Sequence, residues 1–196
     1  MIHDDVCLAA AGGKECKVFM SKILVVSDSH LNNEVLSRVT DRWQTLSLKF
    51  HCGDSNLLPD DPLLSEFLVV RGNHDGIYFP SFLVHGPFLV THGHLEHVYV
   101  TDRELIALAR KHQCTTVFHG HTHVPRNVFV DDIHIINPGS LLINRGSYGF
   151  GTYALFDTDT QEVTFHHYET DDVVNDVVLP DGQKILAEFR QILRGD

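Results

Sequence analysis

Five apolar runs in this chain each stop at a short polar cluster. Lys22 to Ser27 runs into Asp28-Ser29-His30, and Leu46 to Cys52 into Gly53-Asp54. Phe67 to Val70 leads to Gly72-Asn73-His74-Asp75, Phe88 to Val90 to His92-Gly93-His94, and Thr115 to Phe118 to Gly120-His121-Thr122-His123. Short β-branched and apolar runs bounded by glycine and polar residues read as buried strands. Ligands of open α/β folds bind outside the carboxyl ends of the strands. A chain with this pattern gathers side chains from distant segments onto one sheet edge.

The intervening segments complete the architecture. Val35, Leu36, Val39 and Trp43 recur at helical spacing behind Asn32-Asn33, which suit a helix start. Thr101-Asp-Arg-Glu104 has the form of a capping box, with Leu105, Leu108 and Ala109 behind it on one face. Phe82 to Val84 and Phe88 to Val90 flank a turn at Gly86-Pro87. Two strands surround Asp131-Asp132 as a hairpin, and Tyr153 to Phe156 with Val163 to Tyr168 form another. Ile185, Leu186, Phe189, Ile192 and Leu193 mark a closing amphipathic helix. The early half alternates strand and helix while the later half is strand-rich, which predicts sheets packed together with helices outside. No repeat or linker interrupts residues 20–196, so one domain is expected there. Residues 1–19 lack the basic and apolar regions of a signal peptide. They read as a disordered leader or a mis-called start ahead of Met20, and N-terminal sequencing of the native protein tests that expectation.

Composition narrows the function. The chain carries 15 Lys+Arg against 26 Asp+Glu, a net charge of -11, which argues against non-specific nucleic-acid binding. It does not argue against a small phosphate substrate, because bound cations reverse the field locally. No apolar run approaches the roughly 18 residues of a membrane span. Cys7, Cys16, Cys52 and Cys114 are scattered without a C-x-x-C pair, which reads as reduced thiols in a cytoplasmic protein.

The clusters offer imidazole, carboxylate and amide oxygen but no thiolate, a donor set for borderline divalent ions rather than for a structural zinc site. Asp28, His30, Asp54, Asn73, His92, His121 and His123 are too many for one tetrahedral ion. They suit two ions sharing a carboxylate, roughly 3.5–4 Å apart, a pair that clamps phosphate and generates a hydroxide nucleophile at neutral pH. Asp28-x-His30 and His121-x-His123 fit an extended segment, where period two aims both side chains one way. Taken singly, Gly-Asp is an ordinary turn and a lone His-x-His more often a surface or satisfied pair. The conjunction of five clusters, each after a strand, carries the metal reading.

In these motifs and their order, and in Asn137-Pro-Gly-Ser140, the sequence resembles the calcineurin-like metallophosphoesterase family, in particular its small bacterial and archaeal phosphodiesterase branch. The resemblance covers Ser21 to Tyr168. It implies a four-layer α-β-β-α sandwich with a dimetal site at the sheet edge. By motif, Asp28, His30 and His123 would hold the first ion, Asn73, His92 and His121 the second, and Asp54 would bridge them. Manganese is the first choice of ion, with Fe, Zn, Ni or Mg as alternatives. His74 would contact the phosphate and protonate the leaving oxygen, the general-acid role an imidazole most often takes. Asp75 would orient His74. Asn73, His74 and His94 would face the substrate, although His94 can equally brace His92. Many small relatives have Gly-Asn-Cys-Asp where this chain has Gly-Asn-His-Asp, which leaves diester against monoester preference open.

The implied function is a dimetal phosphodiesterase acting on small phosphodiesters by metal-bound hydroxide attack. Alternatives are a phosphomonoesterase or protein phosphatase on the same site, a homo-oligomer built through an exposed edge, or a non-catalytic interaction scaffold. Scaffolds of this kind tend to have eroded ligand sets, and here every position is filled. The chain has no large insertion between motifs, so an open site fits loose selection among diesters. H-E-x-x-H, Gly-x-Ser-x-Gly and P-loop signatures are absent. Asn32 reads evenly as a helix cap or a wall of the site, and His51, Cys52, Arg71, Arg126, His166 and His167 read as packing, strand-end or surface residues.

Overall fold

Strand β1 (Lys22–Val26) shows why its sequence is apolar throughout. Ile23 and Val25 point into one core cluster and Leu24 and Val26 into another, so both faces are buried. The computed structural model describes residues 21–146 and 148–194; the expected leader, 1–19, lies outside them. After β1 come α1 (Asn33–Arg42), β2 (Lys49–His51), a 3-10 turn (Pro62–Leu64), β3 (Leu68–Val69), β4 (Phe82–His85) and β5 (Phe88–Thr91). Then follow α2 (Arg103–Lys111), β6 (Thr116–Phe118), β7 (Arg126–Val130), β8 (Ile133–Asn137), β9 (Thr152–Asp157), β10 (Val163–His167) and α3 (Asn175–Arg194).

The strands form two mixed sheets, ordered β10-β9-β1-β2-β3 and β4-β5-β6-β8-β7. β1, β2 and β3 are parallel, as are β5, β6 and β8, while antiparallel neighbours complete each sheet. Phe50, Phe88, Phe118 and Phe156 interlock between the sheets, with ring centroids 5.4–6.3 Å apart. On the outer face of the first sheet, Val35, Leu36 and Val39 of α1 meet Leu24, Val26 and Leu155. On the outer face of the second, Leu105, Ile106 and Ala109 of α2 meet Leu89, Val117 and Ile135. The result is the expected α-β-β-α sandwich. Each fully buried Leu or Ile side chain contributes about 2 kcal/mol from removal of apolar surface.

Two local expectations need correction. Thr101 and Glu104 do not form a capping box: the Thr101 hydroxyl accepts from the Arg103 N–H (3.1 Å), and Asp102, the residue before α2, makes no cap. Its carboxylate is engaged by Arg126 (2.6 and 2.7 Å) and Arg190 (2.7 and 3.1 Å), so it ties α2, β7 and α3 together. α3 also starts ten residues earlier than Ile185, despite Pro180 inside it. Tertiary contacts override the broken propensity there. Asn175 accepts from the Phe165 N–H (2.7 Å) and donates to the Val163 carbonyl (2.9 Å), and Val178 is buried between the sheets.

Burial alone would raise the pKa of Asp102, yet the two guanidiniums hold it well below the usual carboxylate range. A depressed folded pKa contributes stability above the unfolded value, about 3.9, and that contribution is lost as pH falls through the folded pKa. Asp102→Asn leaves two half-buried guanidiniums sharing a neutral amide. It is expected to cost about 3 kcal/mol at neutral pH, read as a lowered urea midpoint, and to flatten the acid limb of the stability profile. A midpoint unchanged at pH 7 would contradict this.

Candidate metal centre

The parallel strands deliver the polar clusters to one edge of the sandwich, where their side chains converge. Fully buried Asp28 places Oδ1 3.1 Å from His123 Nε2 and 3.9 Å from both His30 Nε2 and His92 Nε2. Asp54 Oδ2 lies 3.3 Å from His92 Nε2 and 3.9 Å from His30 Nε2. Asn73 Oδ1 is 3.1 Å from His92 Nε2, and the Nε2 atoms of His30 and His123 are 3.3 Å apart. Among the described residues, two groups bring all their ligand atoms within 4.8 Å of one another: Asp28 with His30 and His123, and Asp28 with Asp54 and His92. Six of the expected ligands thus meet through their donor atoms. His121 is in neither group; its ring lies 5.1 Å from that of His92, and its backbone N–H donates to Asp28 Oδ2 (3.1 Å). The geometry also gives Asp28 a share in both groups, where the motif assigned it to one ion.

These residues fit divalent cations. Among the described residues nothing donates a hydrogen bond to buried Asp28 Oδ1, an arrangement that is costly for a carboxylate unless a cation satisfies it. The histidines are oriented for the same task. His92 Nδ1 lies 2.7 Å from the Cys52 carbonyl and His30 Nδ1 lies 3.1 Å from Asn56 Oδ1. Each ring N–H donates outward to an oxygen, which leaves the Nε2 lone pair facing the centre.

Local electrostatics agree. Burial pushes the Asp28 carboxyl up, but His92 and His123 outweigh it and hold it well below the usual carboxylate range. Burial and the neighbouring His92 press His121 down to about 4, so it is neutral with a free lone pair at pH 7. Burial also lowers His92, but Asp28 and Asp54 reverse the sign and raise it. Burial holds His51 at about 4 and His119 at about 3. Both serve as neutral packing groups, His51 bonding Ser29 Oγ (3.0 Å) and the Gly53 N–H (3.2 Å).

The expected extended geometry is not what aims the ligands. Asp28, His30, Asp54, His121 and His123 all have positive φ, between 44° and 66°. Left-handed backbone at non-glycine residues costs on the order of 1 kcal/mol each and persists where the surroundings enforce it. Glycine enforces it here by close approach. A Cβ on Gly72 would stand 2.4 Å from Asp54 N, and one on Gly120 would stand 1.9 Å from Ser27 Oγ. The Gly72 loop therefore packs directly on the Asp54 loop, and the Gly120 loop on Asp28.

His74 is exposed beside the centre, its ring 5.5 Å from that of His30, and its N–H donates to Asp54 Oδ1 (2.7 Å). Asp75 does not orient the His74 ring. Its Oδ2 accepts from the N–H groups of Asp54 (2.6 Å) and Gly72 (2.8 Å), and its Oδ1 from the Asn56 N–H (2.7 Å) and the Ser55 hydroxyl (3.3 Å). Unpaired loop N–H groups compete for a carboxylate and win, so Asp75 positions Asp54 instead. His94 is half-buried, 5.3 Å from the His92 ring and 6.1 Å from that of His121. Burial lowers its pKa, and its buried Nδ1 has no partner.

Several positioning residues escaped the sequence reading. Asn137 donates to the Gly120 carbonyl (2.8 Å) and Thr122 Oγ1 (3.0 Å), Ser140 Oγ donates to the Asp28 carbonyl (2.9 Å), and Asn144 accepts from the Ser140 N–H (2.7 Å). Together they bolt the Gly120–His123 loop to the Asp28 loop. The Asn137-Pro-Gly-Ser140 segment was the available signal, used above only as part of the family resemblance. His166 is buried rather than on the surface, stacked on Tyr153 with centroids 5.2 Å apart.

The family model of the calcineurin-like phosphoesterase superfamily domain matches residues 21–161. A probable metallophosphoesterase of Bacillus subtilis (strain 168), YsnB, is 30% identical over 168 residues, covering 80% of this chain and 99% of the relative. A solved structure from Streptococcus pneumoniae TIGR4, described as a "predicted phosphoesterase", superposes with a TM-score of 0.73 at 33% identity, covering 79% of this chain and 92% of that one. An archaeal phosphodiesterase shares the fold, with a TM-score of 0.58 at 23% identity over 74% of this chain and 99% of that one. With the site residues of the sequence gathered as described, the chain belongs to the calcineurin-like phosphoesterase superfamily, whose members are metal-dependent.

Proposed function

We propose that the protein is a dimetal phosphodiesterase acting on small phosphodiesters. The observation that carries this reading is Asp28 Oδ1, a buried carboxylate oxygen without a hydrogen bond among the described residues and ringed by the Nε2 atoms of His30, His92 and His123. Two divalent ions held there would supply Lewis acidity toward phosphoryl oxygens and a water acidified to near neutrality. Asp28, His30 and His123 would hold one ion and Asn73, His92 and His121 the other, with Asp54 between them and Asp28 Oδ1 within reach of both. Manganese is the ion to load first, and Fe, Zn, Ni and Mg are alternatives. The chain's own residues supply the rest. Asp54 and Asn73 stay placed because Asp75 pins the loop between them. His74 stands at the exposed side of the centre, placed to hand a proton to the departing ester oxygen as the P–O bond breaks. His94 would line the same side.

Support for a cytoplasmic setting comes from Cys52 and Cys114, both free and buried. No helix among the described residues is long and apolar enough to cross a membrane.

The test is hydrolysis of bis-p-nitrophenyl phosphate and p-nitrophenyl phosphate by metal-stripped protein before and after adding Mn²⁺. Metal-dependent turnover favouring the diester is expected. Preference for the monoester would move the function to phosphatase, and no turnover with any of the ions would favour a scaffold. His74→Ala is expected to slow esters with alkoxide leaving groups about 10²-fold, with little effect on nitrophenolate, which needs no proton. Equal slowing of both would exclude the general-acid role.

A further inference from the structure

Seven of the fourteen exposed large apolar side chains among the described residues lie in the loops that carry the metal centre. Leu31 follows His30, Leu58 follows the Asp54–Asn56 turn, Leu95 follows His94, and Leu142 follows Ser140; each is 43–60% exposed. Ile77 and Tyr78, two and three residues beyond Asp75, are 83% and 68% exposed. These loops are fixed rather than slack. Leu57, Phe79 and Leu141, each next to one of the exposed residues, are buried in a single core cluster with Leu24, Val26 and Leu36. These three loops therefore each present one apolar side chain inward and its neighbour outward. The Tyr78 ring lies over Gly76, where a Cβ would stand 2.7 Å from two ring carbons. An aromatic face is thus held beside the turn that carries His74 and Asp75.

Resting on the phosphodiesterase reading above, we propose that this rim receives a flat aromatic substituent of the substrate, with Tyr78 and Ile77 as its main contacts. The substrate class is a phosphodiester carrying an aryl group or a nucleobase. Exposed apolar side chains grouped on the loops of a site mark a binding region, and here each follows a site residue by a few positions along the chain. An aromatic ring stacks on an exposed tyrosine with useful affinity, whereas a methyl group offers far less surface to it. A second copy of the chain seated on the rim would instead cover the site.

Three diesters sharing a p-nitrophenolate leaving group test this with unchanged chemistry: methyl, phenyl and thymidine-5′ p-nitrophenyl phosphate. The expected kcat/KM of the Mn²⁺-loaded protein is roughly tenfold or more higher for the aromatic diesters than for the methyl ester. Phenyl ahead of thymidine indicates an aryl substrate, and thymidine level or ahead indicates a nucleobase. Tyr78→Ala, and Gly76→Ala, which displaces the ring without removing it, should each bring the aromatic-to-methyl ratio toward one. A ratio near one in the unaltered protein, or a ratio that survives both substitutions, would overturn the proposal. So would a dimer dissociated by Ile77→Ser together with a ratio near one. If no diester is turned over, the function reading fails separately. Calorimetric binding of phenyl phosphate against methyl phosphate to the Mn²⁺-loaded protein then decides, equal binding overturning the rim.

Discussion

Asp28→Asn is expected to lower turnover of bis-p-nitrophenyl phosphate on the order of 10³-fold or more, and to abolish the rise in melting temperature that Mn²⁺ gives the unaltered protein. The argument is geometric. Asp28 Oδ2 accepts from the Ser27 hydroxyl and from the His121 N–H, so both neighbours on that side are donors. An asparagine must turn its amide oxygen to them, and its NH₂ then takes the place of Oδ1. That NH₂ faces the Nε2 atoms of His30, His92 and His123, donates where a cation would sit, and carries no charge. Because Oδ1 belongs to both ligand groups, both ions are lost together. The bonds to Ser27 and His121 survive, so the metal-free melting temperature should stay within a few degrees. Retention of the Mn²⁺-induced shift, which follows ligand concentration over Kd, would show that Asp28 is not the shared ligand.

Asp75→Ala should separate two readings of that residue. Its carboxylate accepts three backbone N–H groups that tie the Asp54, Asn56 and Gly72 loops together. Charged hydrogen bonds of this kind contribute about 1.5–3 kcal/mol each, and water replaces part of the loss at a half-buried site. The expected destabilisation is about 3 kcal/mol, a fall of roughly 10 °C in melting temperature. Metal affinity should drop about 10–100-fold, as for other groups that orient a ligand. Turnover at saturating metal should fall alike for nitrophenolate and alkoxide leaving groups. An unchanged melting temperature with selective slowing of alkoxides, not additive with His74→Ala, would restore Asp75 as the partner of His74.

The candidate ligands were legible in the sequence and their backbone was not. Asp28, His30, Asp54, Asn73, His92 and His123 announce themselves because each follows an apolar strand, and strand order converts that pattern into proximity. The positive φ of Asp28, His30 and His123 leaves no periodic trace. It arises where the Gly72 and Gly120 loops press against Asp54 and Asp28, contacts across 18 and 92 residues of chain that only the folded state makes. Asp75 illustrates the same limit. Spacing places it one residue from His74, but its bonds are decided by which loop N–H groups lack partners. The amphipathic end of α3 was readable from Ile185 onward. Its first half was not, because Pro180 and Gly182 argue against helix locally while Asn175 and Val178 are secured by β10 and the core. The layers themselves followed from β1, whose unbroken apolar run requires cover on both faces.

The most direct test of the two-ion centre is a count of the ions. Metal-stripped protein would be loaded with Mn²⁺, freed of excess by gel filtration and analysed for metal per chain by mass spectrometry. Two ions per chain are expected, falling to none in Asp28→Asn. One ion per chain, or a count that Asp28→Asn leaves unchanged, would contradict a dinuclear site joined at Asp28.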